Sequence, residues 1–298
     1  MLTAEYFVLD GALALALPTK FGQNFVFQQT ESHTAPIHWQ SFDHAGQCWF
    51  EGIFKQDGTC LQASDAPTAE RLTQIFQAIH QLTGQPFFAP VHIEARLEFP
   101  RYWGLGSSST LIAALAQWAG VDAFQLLQAT FGGSGYDIAC AFADAPILYQ
   151  RRDGQPNWVT FPFAPPFHRE LYFVGLGAKQ NSREGIARYR ARNSAANIDA
   201  LRAFSTLTAD VVCATTLEDF ERCIHEHEQL VSKMLDLPVV ATRYFSDYWG
   251  TVKSLGAWGG DFVLATSRAG FDETAQYFAQ RGYPEVFRYG DMVIWGER

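Results

Sequence analysis

The stretch EFPRYWGLGSSSTLIAALAQWAG, residues 98–120, places a glycine turn between the end of a strand and the start of a helix. The turn and the residues after it are Gly104, Leu105, Gly106, Ser107, Ser108 and Ser109. Glycines let the backbone approach a ligand closely, and N–H groups at a helix start attract anions. Two interpretations stay open at this point. The stretch forms either a phosphate-binding loop in which one serine ligates magnesium, or a tight turn whose serines cap the helix.

Competing phosphate and nucleophile motifs fail at particular residues. None of the five lysines follows a glycine, which excludes a P-loop. Ser109 stands where the dinucleotide fingerprint requires its third glycine, and Tyr136 stands where a nucleophile elbow requires its last one. The glycine-serine turn is therefore of a different kind.

A second glycine-rich segment, FGGSGYDIACAF at residues 131–142, places Ser134 in a tight loop and Asp137 just after it. A carboxylate in this place can act as a base toward a substrate hydroxyl, or orient it, during phosphoryl transfer. Taken alone, however, the segment favours an aspartate that caps the helix predicted to follow.

A third segment, VKSLGAWGGDFVLATS at residues 252–267, contains Gly256, Gly259 and Gly260 ahead of a predicted strand. The pattern is typical of a loop whose backbone lies near a ligand or a neighbouring domain. Glycine turns before strands are also common, so the segment by itself is a weak signal.

The chain as a whole has 298 residues, is 48% hydrophobic and carries a net charge of −9. These values argue against a disordered chain and against a broad electrostatic surface for nucleic acid. No apolar run approaches the roughly 20 residues that span a bilayer. Five widely spaced cysteines, none in a CxxC pair, indicate reduced thiols. We therefore expect a cytoplasmic protein without nucleic-acid or membrane partners.

Local patterns predict how the chain is organised. Apolar residues at helical spacing predict a helix over residues 66–82, and the alternation in HIEARLEF predicts a half-buried strand over residues 91–99. Strands followed by helices in both halves indicate two α+β domains. The Pro- and Trp-rich run PNWVTFPFAPPF suggests the boundary, so the predicted domains are residues 1–155 and 156–298.

His225 and His227 form the one close histidine pair in the sequence. A step of two residues places them on different faces of a helix. The pair therefore favours a solvated helix surface over a metal site.

In order and spacing, these segments resemble the GHMP superfamily of small-molecule kinases, named for galactose, homoserine, mevalonate and phosphomevalonate kinases. Pro100–Ser109 matches the second family motif, P-x-x-x-G-L-G-S-S-[AS], in full. Lys253 and the glycines after it resemble the third motif, with Trp258 in place of its central glycine. SGYD is similar to the signature that carries the catalytic aspartate in mevalonate and phosphomevalonate kinases, and EYFVLDGALALALPT is similar to the first motif. GGSGYDIA resembles a bacterial mevalonate-kinase-like group with a Gly-Tyr-Asp-Ile-Ala signature.

The resemblance implies a two-domain α+β GHMP kinase fold with the active site in the cleft between the domains. It implies an enzyme that uses ATP and Mg²⁺ to phosphorylate the hydroxyl of a small anionic metabolite, with mevalonate of the isoprenoid precursor pathway preferred. Asp137 would be catalytic and Ser108 would ligate the metal. The implied nucleotide-binding residues are Gly104, Leu105, Gly106, Ser107, Ser108, Ser109, Gly256, Gly259 and Gly260. The implied substrate-binding residues are Glu5, Ser134, Lys179, Ser182 and Arg183. A homodimer is left open.

Two departures from the family pattern keep other interpretations open. Family members carry a strand with a Gly-Lys pair before the first motif, whereas four residues precede Glu5 here, and we expect a start site set too far downstream. The glutamate that binds magnesium in mevalonate kinases, eleven residues before the aspartate, is replaced by Leu126. The alternatives are a diphosphomevalonate decarboxylase-like enzyme and a GHMP-fold protein that binds nucleotide or metabolite without turnover.

Overall fold

The structure is a computed structural model that describes residues 1–29, 37–84, 90–177, 182–192, 197–256, 258 and 261–295. The chain forms two compact units. The terminal unit contains both ends of the chain, with residues 1–20, 102–104 and 142–298. The inserted unit interrupts it in sequence, with residues 21–101 and 105–141.

Secondary-structure elements are numbered along the chain. The strands are β1 (Ala14–Ala16), β2 (Gln23–Gln29), β3 (Ile37–Phe42), β4 (Cys48–Phe54), β5 (Cys60–Ala63), β6 (Val91–Leu97), β7 (Ile147–Arg152), β8 (Gln155–Thr160), β9 (Leu171–Gly175), β10 (Val252–Ser254), β11 (Phe262–Thr266) and β12 (Val286–Arg288). The helices are α1 (Ala66–Thr83), α2 (Ser107–Ala119), α3 (Ala123–Thr130), α4 (Tyr136–Phe142), α5 (Ser182–Arg192), α6 (Ile198–Cys213), α7 (Leu217–Leu235), α8 (Val240–Tyr244), α9 (Phe271–Gln280) and α10 (Tyr289–Met292). Short 3₁₀ turns occur at Phe7–Asp10, Arg101–Trp103 and His168–Glu170.

The inserted unit is built on a sheet with the strand order β2-β6-β3-β4-β5. Strands β3 and β6 run parallel, and the other neighbouring pairs are antiparallel. Ile37, Phe50 and Ile93 on the sheet share one buried core with Leu72 of α1 and Ile112 of α2. The glycine-serine stretch of residues 98–120 thus begins directly after the core strand β6 and contains the core helix α2.

Local sequence explains the helix and strand predicted in this unit, and both predictions are confirmed. The side chain of Asp65 accepts a hydrogen bond from the N–H of Thr68 at 2.9 Å and caps α1. Gly84 ends the helix in the left-handed conformation, with φ of 66°. In β6 the odd-numbered residues are buried and the even-numbered ones are not, as the alternation in the sequence predicted.

The terminal unit contains two antiparallel sheets with the strand orders β1-β7-β8 and β10-β11-β9-β12. Val174 of β9 and Val263 of β11 pack in one core with Phe245 and Phe278. The two ends of the chain meet in this unit, since the N–H of Lys20 donates to the carbonyl of Met292 at 2.8 Å. The α+β class predicted from sequence is confirmed.

The predicted boundary between residues 155 and 156 does not coincide with this division. It falls inside the hairpin of β7 and β8, where Gln155 pairs with Arg152. Pro156 fits there because β8 is an edge strand of its sheet, where a missing N–H need not interrupt a hydrogen-bond ladder. The Pro and Trp content suggested a domain boundary, but cross-strand pairing makes residues 156–160 of this run part of a sheet.

Gly250 provides a test of the packing in the terminal unit. A Cβ added to Gly250 would overlap the carbonyl oxygen of Thr266, which accepts a hydrogen bond from the hydroxyl of Tyr248 at 2.9 Å. We expect Gly250→Ala to lower the free energy of unfolding by about 1–3 kcal/mol in urea titrations, as overpacking does. In the control, Gly290→Ala, the nearest atom would be Nε1 of Trp295 at 3.7 Å, so no such loss is expected. Equal losses in both variants would contradict the prediction.

Candidate functional site

Helix α2 begins without a side-chain cap. Its N-cap is Gly106, with φ of 80° and ψ of 28°, and a glycine has no side chain that could accept a hydrogen bond from the first turn. The carbonyl of Gly106 accepts from the N–H groups of Ser109 and Thr110 at 2.9 and 3.1 Å. The hydroxyl of Thr110 donates to Oε1 of Gln23 at 2.7 Å. The structure therefore gives no support to serine caps, and no side chain caps the positive end of the α2 dipole.

The loop before α4 depends on its glycines. Gly132, Gly133 and Gly135 all have positive φ, at 65°, 106° and 88°. Residues with a Cβ adopt such conformations only with strain. The side-chain amide of Gln128 donates to the carbonyl of Gly133 at 3.2 Å and helps to hold the loop, which also carries Ser134.

Asp137 lies within the inserted unit at the start of α4. It is the second residue of the helix, so it does not occupy the capping position before the first turn. Its Oδ1 lies 3.9 Å from where a Cβ on Gly106 would be, so the carboxylate faces the glycine that opens α2. Burial raises the pKa of the Asp137 carboxyl above its usual range. The inserted unit thus brings together two of the segments that the sequence singled out.

In the terminal unit, Asp261 lies beside the first glycine of two segments. A Cβ added to Gly104 would lie 2.5 Å from Cγ of Asp261, and one added to Gly256 would lie 3.5 Å from its Oδ2. Both glycines have positive φ, at 68° and 65°. The sequence showed only that Asp261 follows the glycines of the third segment, because no local pattern reports on a contact across 157 residues of chain.

Glu5, which the resemblance assigned to the substrate, is buried in the terminal unit with 1% of its surface exposed. The ammonium of Lys253, itself fully buried, donates a short hydrogen bond to Oε1 of Glu5. Lys253 also donates to the carbonyl of Ser254 at 2.8 Å. Glu5 therefore has a partner inside the protein, and its carboxylate is not presented at the surface.

Helix α7 adds two buried polar side chains to this ion pair. Oε1 of Glu228 lies 3.6 Å from the ammonium of Lys253 and accepts a hydrogen bond from the indole N–H of Trp258 at 3.1 Å. Nε2 of His227 accepts from the N–H of Ala4 at 2.8 Å and lies 3.4 Å from Oε2 of Glu5. Burial keeps the pKa of His227 well below its usual range, so the ring is neutral. We call Glu5, His227, Glu228, Lys253 and Trp258 the buried network.

The solvated surface predicted for the histidine pair is right for His225 and wrong for His227. His225 is exposed, whereas His227 is fully buried. A helical signal could have found the buried residues, since His227 and Glu228 follow Phe220 by seven and eight positions. Those positions fall on the apolar face of an amphipathic helix.

The five remaining predicted residues lie wholly or partly outside the described residues. Lys179, Gly259 and Gly260 lie outside the described residues. Ser182 and Arg183 open helix α5, but their side chains lie outside the description. Their implied roles stay predictions.

The oxygen atoms at the start of α2 fit a magnesium ion that is bound mainly through a nucleotide. Among the described residues, no group of three or more His, Cys, Asp or Glu side chains could hold a metal ion. Magnesium keeps several waters and binds nucleotide phosphates, so it needs few protein ligands. Ser108 is exposed in the first turn of α2, and the Asp137 carboxylate faces Gly106. Both are hard oxygen donors of the kind this ion prefers.

Across the described helices, none is both long and apolar enough to cross a membrane.

Glu228 gives the terminal unit a specific pH dependence. Burial raises the pKa of Glu228 from 4.5 to about 7, so folding favours its protonated form. This contribution to stability is complete below pH 4.5 and is lost as the pH rises through about 7. Relative to Glu228→Gln, the wild type should lose up to about 3 kcal/mol of unfolding free energy between pH 4.5 and 7.5, measured by urea titration. The control Glu226→Gln changes an exposed residue of the same helix and should leave the slope unchanged. Parallel curves for wild type and Glu228→Gln would contradict the assignment.

Comparison with solved structures gives the fold a family context. The chain is similar to Streptococcus pneumoniae phosphomevalonate kinase in complex with phosphomevalonate and AMPPNP, with a TM-score of 0.67, 16% identity and 96% of each chain covered. It is similar to Methanococcus jannaschii mevalonate kinase, with a TM-score of 0.64, 11% identity and coverage of 96% of this chain and 93% of that one. It is also similar to Lactococcus lactis galactokinase complexed with galactose, with a TM-score of 0.67, 11% identity and coverage of 96% and 89%. No family model and no curated protein sequence matches the chain. At these identities the likeness establishes the fold, and the chain has the two-domain α+β fold of the GHMP kinases.

Proposed function

We propose that the chain is a GHMP-type kinase that transfers the γ-phosphoryl group of ATP to the hydroxyl of a small molecule. The observation that carries the proposal is made in the inserted unit, where the Asp137 carboxylate faces Gly106 at the uncapped start of α2. An anion site beside a carboxylate base is the arrangement that phosphoryl transfer to a hydroxyl requires. The likeness to solved small-molecule kinases supports the same class of activity.

The glycine-serine turn is assigned to the triphosphate. The N–H groups and dipole of α2 stabilise phosphate charge, and the left-handed Gly106 leaves room for an oxygen close to the backbone. The residues assigned to the nucleotide are Gly104, Leu105, Gly106, Ser107, Ser108, Ser109, Gly256, Gly259 and Gly260. The first six follow from the geometry of the turn and from the resemblance, and the last three follow from the resemblance alone.

Asp137 is assigned to the acceptor hydroxyl. As the hydroxyl oxygen bonds to the γ-phosphorus, its proton passes to the carboxylate or is held by it, and the bond from the γ-phosphorus to ADP breaks. Burial raises the pKa of Asp137, which makes its ionised form a stronger base than an exposed aspartate. When bound, a magnesium ion would neutralise charge on the phosphates, and Ser108 would hold it.

The finer proposal is that the acceptor is a small anionic metabolite, mevalonate first. Mevalonate and phosphomevalonate kinases are among the solved structures with this fold, and SGYD resembles the signature of those enzymes. Lys179 and Arg183 are assigned to the substrate carboxylate, and Ser134 and Ser182 to its polar groups. We give Glu5 no substrate role because it is buried against Lys253.

A panel of acceptors tests the class of reaction. The protein is incubated with ATP and Mg²⁺ and with mevalonate, phosphomevalonate, homoserine, galactose or a heptose, and ADP release is measured. We expect acceptor-dependent ADP release with at least one acceptor, and most with mevalonate. Carbon dioxide release from diphosphomevalonate would instead identify the decarboxylase. Calorimetric binding of ATP without turnover on any acceptor would identify a binding protein.

Asp137→Asn tests the assigned base. Because the amide cannot take the proton, we expect kcat to fall by about 10²–10⁴-fold while the affinity for ATP changes little. The matched control is Asp144→Asn, an exposed aspartate just beyond the end of α4, which should keep wild-type kcat. A kcat for Asp137→Asn within a few-fold of wild type would remove Asp137 from the chemistry.

A further inference from the structure

The buried network of the terminal unit includes Trp258 of the third glycine segment. The proposed reaction assigns no role to this network. Glu5, His227, Glu228 and Lys253 are each no more than 1% exposed. Two carboxylates surround one ammonium, and the neutral His227 adds no positive charge. Burying these groups is costly unless they hold one another in a fixed arrangement. Such a cluster therefore constrains every element that contributes to it.

Trp258 is the member of the network that lies among the glycines of the third segment. It stands where the family motif has a glycine, and its φ of 45° is left-handed, a conformation that is rare and strained for a bulky residue. The side chain is 6% exposed, and its indole N–H donates to Oε1 of Glu228 at 3.1 Å. Burial of the ring and this charge-assisted hydrogen bond offset the strain.

The other end of the network lies in β10. Lys253 is in register with Leu264 of β11, so its backbone is fixed by the sheet while its ammonium lies 3.6 Å from Glu228. Glu228 on α7 thus contacts Lys253 of β10, at the start of the third segment, and the indole of Trp258 further along it. The backbone on either side of Trp258 is held together, since the N–H of Leu255 donates to the carbonyl of Phe262 at 3.0 Å.

We propose that Glu228 and Lys253 are positioning residues that act through the indole of Trp258 to fix the left-handed backbone at Trp258, within the segment assigned to the nucleotide. A glycine at this position would adopt the left-handed conformation at no steric cost. Trp258 keeps the same conformation because its ring is buried and donates a hydrogen bond to Glu228. This inference rests on the proposed function, since it assumes that the segment meets the nucleotide.

A change at Lys253 tests the proposal poorly. Removing Lys253 leaves Glu5 and Glu228 buried without their cation, and loss of one partner of a buried pair is strongly destabilising. Such a variant could fail to fold for reasons unrelated to the nucleotide. Trp258→Phe is milder, because it keeps an aromatic ring in the site and removes the indole N–H that reaches Glu228.

The experiment compares Trp258→Phe with a matched control, Trp249→Phe, in the full chain. Trp249 also belongs to the terminal unit and donates its indole N–H, to Oγ of Ser267 at 2.9 Å, but it is 51% exposed and lies outside the glycine segment. The affinity for AMPPNP is measured by calorimetry, together with KM for ATP, kcat and the midpoint of thermal unfolding. We expect Trp258→Phe to weaken AMPPNP binding and raise KM for ATP by about tenfold, with kcat within a few-fold of wild type. Trp249→Phe should change neither value.

A rescue completes the test. Glu228→Gln keeps an oxygen that can accept from the indole, whereas Glu228→Leu does not, so the glutamine variant should bind AMPPNP more tightly than the leucine variant. The inference is overturned if Trp258→Phe binds AMPPNP as the wild type does, or if both tryptophan variants lose affinity equally. Failure of the proposed function gives a different result, since the wild type itself would then bind no AMPPNP.

Discussion

The ammonium of Lys253 is fully buried, so its positive charge must be paired with a negative charge inside the protein. Its short hydrogen bond to Glu5 joins residues 248 positions apart in the chain. That requirement holds the first residues of the chain against β10 and α7. The hydrogen bond from Ala4 to His227 and the bond between the hydroxyls of Thr208 and Thr3 reinforce the same junction. A terminal unit made from both ends of the sequence follows from this pairing.

The same network links stability to the candidate site. Glu228 is shared between an ion pair with Lys253 and a hydrogen bond with Trp258, so a change in its charge acts on both. Burial raises the pKa of Glu228, and this effect, together with the nearby charge of Glu5, outweighs the attraction of Lys253. A purely apolar core would hold α7 and β10 together without that cost. Retention of charge here is physically reasonable if the arrangement serves to fix Trp258.

The inserted unit places a carboxylate beside the uncapped start of a helix. Gly106 caps α2 without a side chain, and the glycines before α4 turn the chain so that Asp137 faces it. Serine caps at α2 would have satisfied the N–H groups that a phosphate requires. Backbone conformation therefore keeps the helix start available for a ligand.

The sequence alone determined the features that depend on neighbouring residues. The alternation of β6, the span of α1 and the glycine segments could be predicted because side-chain period and capping are local. Tertiary structure decided the division into units, the burial of His227 and the partner of Glu5, each of which the sequence left unpredicted or suggested differently. It also decided that Asp137 faces Gly106. These outcomes depend on contacts between residues far apart in the chain, and a pattern that repeats every two to four residues carries no information about which distant group will neutralise a buried charge.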